Sequence, residues 1–335
     1  MDFPERVSQE DYERYCGRSL RLFLSVDIVN STALKQEFRE RDGSWLGIAR
    51  SFYTAFPTFL TSALDELPAI DEASKPNLWK AIGDELVFVS DLERMEAIPT
   101  LLRALRSAVN RWNCDHEDER VLVKGGAWLA GFPVMNSIIP GEAEGRHDYI
   151  GSSIDTGFRL CRFASPRELV IGVEIAYVIA RLNDPLVAEL HYRGRHEIRG
   201  VLKGRPYPVF WLDCFAAASG LPKISEAAKR DDEVAKREEG ITGQKSVKLE
   251  AGSSVDFITE WVDSTTGEIQ LPFPPNGDDP RFPAPSDYDA WEQTKREEFE
   301  RVYLPKGDPG GSEGDEAPHS ETEPLLAKLK GPRKV

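Results

Sequence analysis

Cysteine is scarce in this chain, with four in 335 residues, Cys16, Cys114, Cys161 and Cys214. They are too scattered to form a CxxC or a zinc-like Cys/His spacing, which excludes a disulfide framework and a structural zinc cluster and predicts free thiols in a reducing compartment. No run reaches the roughly 18 apolar residues of a membrane span. The first twenty residues also lack the apolar core and small-residue cleavage site of a secretory signal. A cytoplasmic protein without a membrane partner is therefore expected. Positive charge is short as well. A formal net charge of −15 disfavours nucleic acid and anionic membranes, because duplex binding rests on neutralising phosphates with Lys and Arg. A small phosphorylated ligand needs only a local basic site. No internal repeat is visible.

What is present is 40% apolar residues, enough for a buried core in one large domain or two smaller ones. β-branched and aromatic runs predict strands at Leu20–Ile28, Leu78–Ile82, Glu85–Val89, Val121–Ala130, Leu169–Val173, Val187–Tyr192 and Tyr207–Leu212. Amphipathic stretches of helical length lie at about 44–66, 93–112, 153–163 and 174–182. This mixture predicts an α+β domain with a mainly antiparallel sheet over 20–215, after an N-terminal segment 1–19. Residues 216–250 are charged and poor in large apolar side chains, as in a linker. Val255–Val262 and the helix-like Asp287–Leu304 lie in an appendage at 251–305. The Gly/Glu/Pro-rich residues 306–335 read as a disordered tail.

Three segments carry candidate chemistry. In the first, an apolar strand ends at Asp27 and a Ser/Thr/Asn cluster, Asn30-Ser31-Thr32, opens a helix. An aspartate holding a cation beside a helix start suits a metal triphosphate, although Asp27 and Ser31 can equally serve only as helix caps. The second, Lys80-Ala-Ile-Gly83-Asp84-Glu85, places Asp84 at a hairpin tip, and a tight turn alone also explains Gly-Asp. Paired with Asp27, Asp84 supplies carboxylates that can bridge two divalent ions. In the third, Asp148-Tyr-Ile-Gly151-Ser-Ser-Ile-Asp155-Thr-Gly-Phe-Arg159, Ser152 or Ser153 can cap a helix whose Ile154, Phe158 and Cys161 share a face. Asp155 and Arg159 share another face and can form an ordinary i,i+4 ion pair.

Together the three segments resemble the class III adenylyl and guanylyl cyclases over about residues 20–213, whose marks are strand-Asp-Ile then Ser/Thr, Lys-x-x-Gly-Asp, and Asp-x-x-Gly-x-x-x-Asn-x-x-x-Arg. The resemblance implies a ferredoxin-like α+β domain with two Mn²⁺ or Mg²⁺ ions per site, held by Asp27, Asp84 and the Ile28 carbonyl. It implies base recognition by Lys80 and Asp148, phosphate contacts from Lys124 and Lys203, and Arg159 stabilising the transferring phosphate. Asp155 stands where the family has a ribose-orienting Asn, a departure that sets a negative charge near a triphosphate. Tyr53 is a candidate to stack on the base. The family also implies a homodimer whose two chains complete each site.

The phrases Phe52-Tyr53-Thr-Ala-Phe56-Pro57, Gly83-Asp84-Glu85-Leu, Ala127-Trp128-Leu-Ala-Gly-Phe132-Pro133 and Gly151-Ser-Ser-Ile-Asp155-Thr-Gly-Phe-Arg159 resemble the bacterial pyrimidine cyclases of Pycsar antiphage systems. That resemblance implies UTP as substrate and cyclic UMP as a messenger read by a separate effector. Lys80 and Asp148 by themselves satisfy adenine, cytosine or uracil, so a cytidylate cyclase and a conventional adenylate cyclase stay open, as does a silent nucleotide-binding regulatory module.

Overall fold

The computed structural model describes residues 15–40, 45–116, 121–140, 147–215, 237, 241, 250–265 and 267–303, with backbone alone at 38–40, 140, 302 and 303. Most of the N-terminal segment, nearly all of the linker and the whole of the tail lie outside the described residues.

The chain alternates strands with helices. β1 (Ser19–Ile28), α1 (Ser31–Glu40) and α2 (Trp45–Asp65) lead to the hairpin β2 (Asn77–Ile82) and β3 (Glu85–Asp91). After α3 (Ala97–Asp115) come β4 (Val123–Phe132), β5 (Asn136–Pro140), β6 (His147–Gly151) and α4 (Ser152–Leu160). β7 (Glu168–Ile171), α5 (Val173–Arg181), β8 (Leu190–His196) and β9 (Tyr207–Asp213) complete the domain. Seven strands form one sheet in the order β2-β3-β1-β4-β7-β9-β8, and β5 pairs with β6 alone. Every pairing is antiparallel except β4 with β7. The predicted α+β architecture with a mainly antiparallel sheet flanked by helices is the one observed.

Strand alternation divides the core into two layers. Leu20, Leu22, Leu24, Val26 and Ile28 of β1 join the cluster formed with α2, α3 and α5, where Phe52, Phe56 and Trp112 are fully buried. In α2, Phe52, Phe56 and Leu60 recur every four residues and present one apolar face. Trp112 stands edge-on to Phe52 and donates its Nε1–H to the Val121 carbonyl at 2.8 Å, so its polar edge is satisfied inside the core. Replacing Phe52 with Ala would cost about 3 to 5 kcal/mol by cavity formation. Phe23 points to the other face. There it stacks on Trp128 at 5.4 Å within a cluster containing Tyr149 and Ile154.

Several sequence expectations shift at their edges. Val173 opens α5 instead of ending a strand, and Val187 lies in a 3-10 turn, Pro185–Glu189, ahead of β8. The hairpin β5–β6 was not predicted. Neither Ser152 nor Ser153 caps α4 through its side chain. The Ser153 N–H donates to Asn136 Oδ1 at 3.1 Å, so β5 satisfies the helix start. All four cysteines are free thiols. Among the described residues no helix is long and apolar enough to cross a membrane.

The appendage forms α6 (Ala251–Asp263) and α7 (Tyr288–Tyr303). Ile258, Trp261, Phe273, Phe282 and Tyr288 are buried in the same cluster as the sheet, which the sequence alone describes only as residues apolar enough to dock. Arg18 holds the base of α7 through Glu292 and Asp289, each at 2.7 Å.

Candidate active site

Register brings the first charged cluster together. Asp27 is paired with Glu85 on one side and Lys124 on the other, and neighbouring strands place directly opposed side chains on one face. Lys124 Nζ lies 3.5 Å from Asp27 Oδ2. The hairpin tip closes over this end of β1, since the Ile28 N–H donates to the Asp84 carbonyl at 3.2 Å. Burial pushes the Asp27 carboxyl up to about 6; the Lys124 cation opposes this, and the nearby Asp84 and Glu85 charges add to it. Glu85 is likewise raised, chiefly by burial, and accepts from the Ser25 hydroxyl at 2.5 Å.

Two further residues complete this surface, and the sequence reading missed both. Lys35 Nζ reaches Asp84 Oδ1 at 3.3 Å. Its only sequence signal is its position in the second turn of the helix that follows the strand-Asp segment. Cys161 lies beneath the carboxylates with its Sγ against Gly126, where a β-carbon would come within 2.2 Å. Burial first, and the Glu85 charge second, push this thiol up to about 12, so it stays protonated.

The second cluster lies between β2 and β6. Lys80 Nζ and Asp148 Oδ2 are 2.6 Å apart, both partly exposed. A bulge at Trp79 interrupts the β2–β3 register. The Trp79 ring lies under the Lys80 ammonium at 4.7 Å and edge-on to Tyr149 at 4.8 Å, while its Nε1–H donates to the His147 carbonyl at 3.3 Å. An aromatic floor thus carries the Lys80–Asp148 pair. Tyr53 stands elsewhere. Its hydroxyl donates to the Gly83 carbonyl, which ties it to the turn carrying Asp84 rather than to Lys80 and Asp148.

The third cluster is α4 and the loop after β8. Gly157 lets α4 lie directly on β4, because a β-carbon there would come within 2.1 Å of the Trp128 ring. Asp155 is exposed. The i,i+4 ion pair with Arg159 does not form; instead the Arg159 guanidinium lies against Gly200, whose φ is +74° and whose β-carbon would meet Nη1 at 2.4 Å. Among the described residues no hydrogen bond or ion pair joins Arg159 to Asp27 or Asp84. Lys203 sits two residues into a left-handed stretch at φ 50° and pairs with Glu268 of the appendage at 2.7 Å, its side chain 88% exposed.

The residues present fit a divalent ion. Asp27 and Asp84 offer hard oxygen donors crowded enough that one carboxyl tends to hold a proton, a condition that a cation between them relieves. Among the described residues no group of three or more His, Cys, Asp or Glu is placed to hold a metal. A site with one or two carboxylates that takes its remaining ligands from phosphate and water is the Mg²⁺ pattern.

No protein-family model matches the chain, and no curated protein does. Solved structures of similar fold include the adenylyl cyclase CyaB from P. aeruginosa, 14% identical over 58% of this chain and 94% of that one, with a TM-score of 0.43. The guanylyl cyclase Cya2 is 11% identical over 58% of this chain and 91% of its own, with a TM-score of 0.41. A bacterial light-regulated adenylyl cyclase is 12% identical over 61% and 96%, with a TM-score of 0.43.

Proposed function

We propose that this chain is a class III-type nucleotide cyclase that closes a nucleoside triphosphate into its 3′,5′-cyclic monophosphate, with UTP preferred. The observation that carries the reading is the meeting of Asp27 and Asp84, from a strand end and a separate hairpin tip, with Lys124 and Lys35 facing them at 3.5 and 3.3 Å. Helix capping by Asp27 or a plain Gly-Asp turn requires no such convergence. A silent module has no need to keep two crowded carboxylates beside two cations.

Asp27 and Asp84, with the Ile28 carbonyl, would hold two Mn²⁺ or Mg²⁺ ions. When bound, such an ion supplies Lewis-acid polarisation of phosphate oxygens and lowers the pKa of the attacking hydroxyl. The ribose 3′-oxygen attacks the α-phosphorus in line, the α–β bridging bond breaks and pyrophosphate leaves. Lys124, Lys35 and Lys203 attract the phosphates, and Arg159 meets the charge that develops on the transferring group. Arg159 has neither carboxylate beside it in its own chain. A head-to-tail homodimer, in which Arg159 and Asp155 of one copy face Asp27 and Asp84 of the other, completes each site.

Base choice rests on the resemblance to pyrimidine cyclases together with the Lys80–Asp148 pair. Uracil N3–H donates to Asp148, and a uracil carbonyl accepts from Lys80. A mismatched base that leaves this pair unsatisfied loses about 1 to 3 kcal/mol. Cyclic UMP then serves as an antiphage messenger for a separate effector. Competition among equimolar UTP, CTP, ATP and GTP with Mn²⁺, read by mass spectrometry, tests the reading. Cyclic UMP is the expected product. Cyclic CMP would correct the base, cyclic AMP would sink the pyrimidine assignment, and no cyclic product would sink the enzyme.

A further inference from the structure

The appendage reaches the α4 side of the nucleotide site. A cavity of about 440 Å³ is lined by Ser19 of β1, Gly131 of β4, Asp155, Gly200 and Lys203, and also by residues 268–273 of the appendage. Asp155 and Lys203 belong to the proposed nucleotide site, so the appendage encloses part of that site rather than a second one.

The loop between β8 and β9 carries this end of the site, and its backbone is unusual. Gly200, Leu202, Lys203 and Gly204 all have positive φ, at 74°, 48°, 50° and 85°. Glycine adopts such angles freely, but leucine and lysine do so rarely. Strained residues of this kind persist only where the surroundings over-determine them. Burial of Ile198 and Val201 in the core fixes the start of the loop. Further along, the appendage holds it twice within three residues. Lys203 pairs with Glu268 at 2.7 Å, and Arg205 donates to two atoms of Ser264, through Nη1 to the carbonyl oxygen and through Nη2 to Oγ at 2.6 Å. The two grips are unequal, because the Lys203 side chain is 88% exposed and an exposed ion pair is worth little.

Ser264 is a firm anchor. It caps the C-terminal end of α6, its N–H donating to the Glu260 carbonyl at 3.1 Å and its hydroxyl to the Trp261 carbonyl at 2.5 Å. Ile258 and Trp261 of the same helix are buried, and Trp261 stands edge-on to Tyr207 of β9 at 5.5 Å. A helix end leaves its last carbonyls without internal partners, and the guanidinium fork of Arg205 meets one of them together with the hydroxyl. Contact therefore runs from the docked helix to Arg205, along the loop to Gly200, and from Gly200 to the Arg159 guanidinium that lies against it.

With the nucleotide-cyclase reading as its basis, we propose that Arg205 is a positioning residue. By tying the loop to Ser264 it fixes Gly200, and so aims Arg159 at the transferring phosphate. The appendage is then a working part of the site.

Arg205→Gln in the full chain tests this, assayed with whichever of UTP, CTP, ATP and GTP the wild type cyclises and followed in parallel by amide hydrogen exchange. Arg205 is only partly buried, so the melting temperature should stay within a few degrees. The kcat should fall about tenfold with KM changed less than about threefold, since Arg159 is misaimed but not lost. The Val201 and Gly204 amides, which donate to the Ile198 and Val201 carbonyls at 2.9 and 3.1 Å, should exchange at least about tenfold faster, while those of β1 keep their rates. Arg205→Lys keeps the charge but cannot span both Ser264 oxygens, and its kcat should fall about fivefold. Unchanged kcat in Arg205→Gln, an effect confined to KM, wild-type turnover by Arg205→Lys, or unchanged loop exchange would each overturn the positioning role. A wild type that cyclises none of the four nucleotides would instead overturn the reading on which that role rests, and the exchange rates, which need no turnover, would still report whether Arg205 holds the loop.

Discussion

Asp27 has Lys124 at 3.5 Å and Asp84 has Lys35 at 3.3 Å, whereas Arg159 meets neither carboxylate and lies against the backbone of Gly200. The two regions handle charge differently. At the Asp27 end, strand register sets Lys124 opposite Asp27, while Lys35 reaches Asp84 from the helix that follows β1. At the α4 end, position comes from close packing, with Gly157 under Trp128 and Gly200 under Arg159. Its exposed cation Lys203 pairs with Glu268 of the appendage. A region whose charges are satisfied internally can bind a cation and phosphate by exchanging partners. A region that holds an arginine without a carboxylate beside it is arranged to meet charge from outside.

The largest expected effect lies on the first side of this comparison. Asp27→Ala or Asp84→Ala should reduce cyclisation by about a thousandfold or more, since each removes half of the cation site, while the melting temperature stays within a few degrees. Comparable turnover by either purified variant would remove the two-carboxylate mechanism. Arg159→Ala should be similarly inactive, and mixing it with Asp27→Ala sets the two regions against each other. If each site takes one region from each copy, random exchange restores about a quarter of wild-type sites, because half of the dimers then carry one intact site of two. A mixture that remains dead despite demonstrated subunit exchange would show that each chain builds its own site.

Gly200→Ala asks whether backbone packing aims the guanidinium. A methyl group 2.4 Å from Nη1 at a positive φ must displace one or the other, so kcat should fall by about tenfold to a hundredfold with a smaller change in KM. Unchanged kcat would mean that Arg159 finds its position without the loop.

Glu174 provides the smallest effect, on stability. Its carboxyl is raised from 4.5 to about 7, first by burial. Between those values the folded chain holds a proton that the unfolded chain has released, so the associated stability is complete below pH about 4.5 and is lost as pH rises through about 7. Urea denaturation should show Glu174→Gln losing less stability than the wild type across this interval. Parallel curves would mean that water reaches the carboxyl.

Much of the architecture was legible because its determinants are local. Alternating apolar residues in Leu20–Ile28 and the four-residue spacing of Phe52, Phe56 and Leu60 specify which face is buried, and those elements stand within a few residues of expectation. The hairpin β5–β6 was not legible. Asn136-Ser-Ile-Ile-Pro140 contains a proline, His147–Gly151 is short and mixed, and the two strands pair only with each other, so neither carries a strong pattern. The Asp155–Arg159 ion pair, the ordinary alternative that helical spacing allows, is not made, and the Arg159 guanidinium lies instead against a loop about forty residues away.

The sequence by itself determined the strand that carries Asp27 near its end, the Gly83–Asp84 turn, and the helix that presents Asp155 and Arg159, because each depends on hydrogen bonding and periodicity within about ten residues. Only the tertiary structure decided that Lys35 faces Asp84, that Tyr53 belongs to the Gly83 turn, that Cys161 lies beneath the carboxylates, and that the appendage closes a cavity against Ser19 and Gly131. Those contacts join residues that are neighbours in space but distant in the chain. They are selected by register and by the fit of side chains across packed layers, which no local pattern encodes.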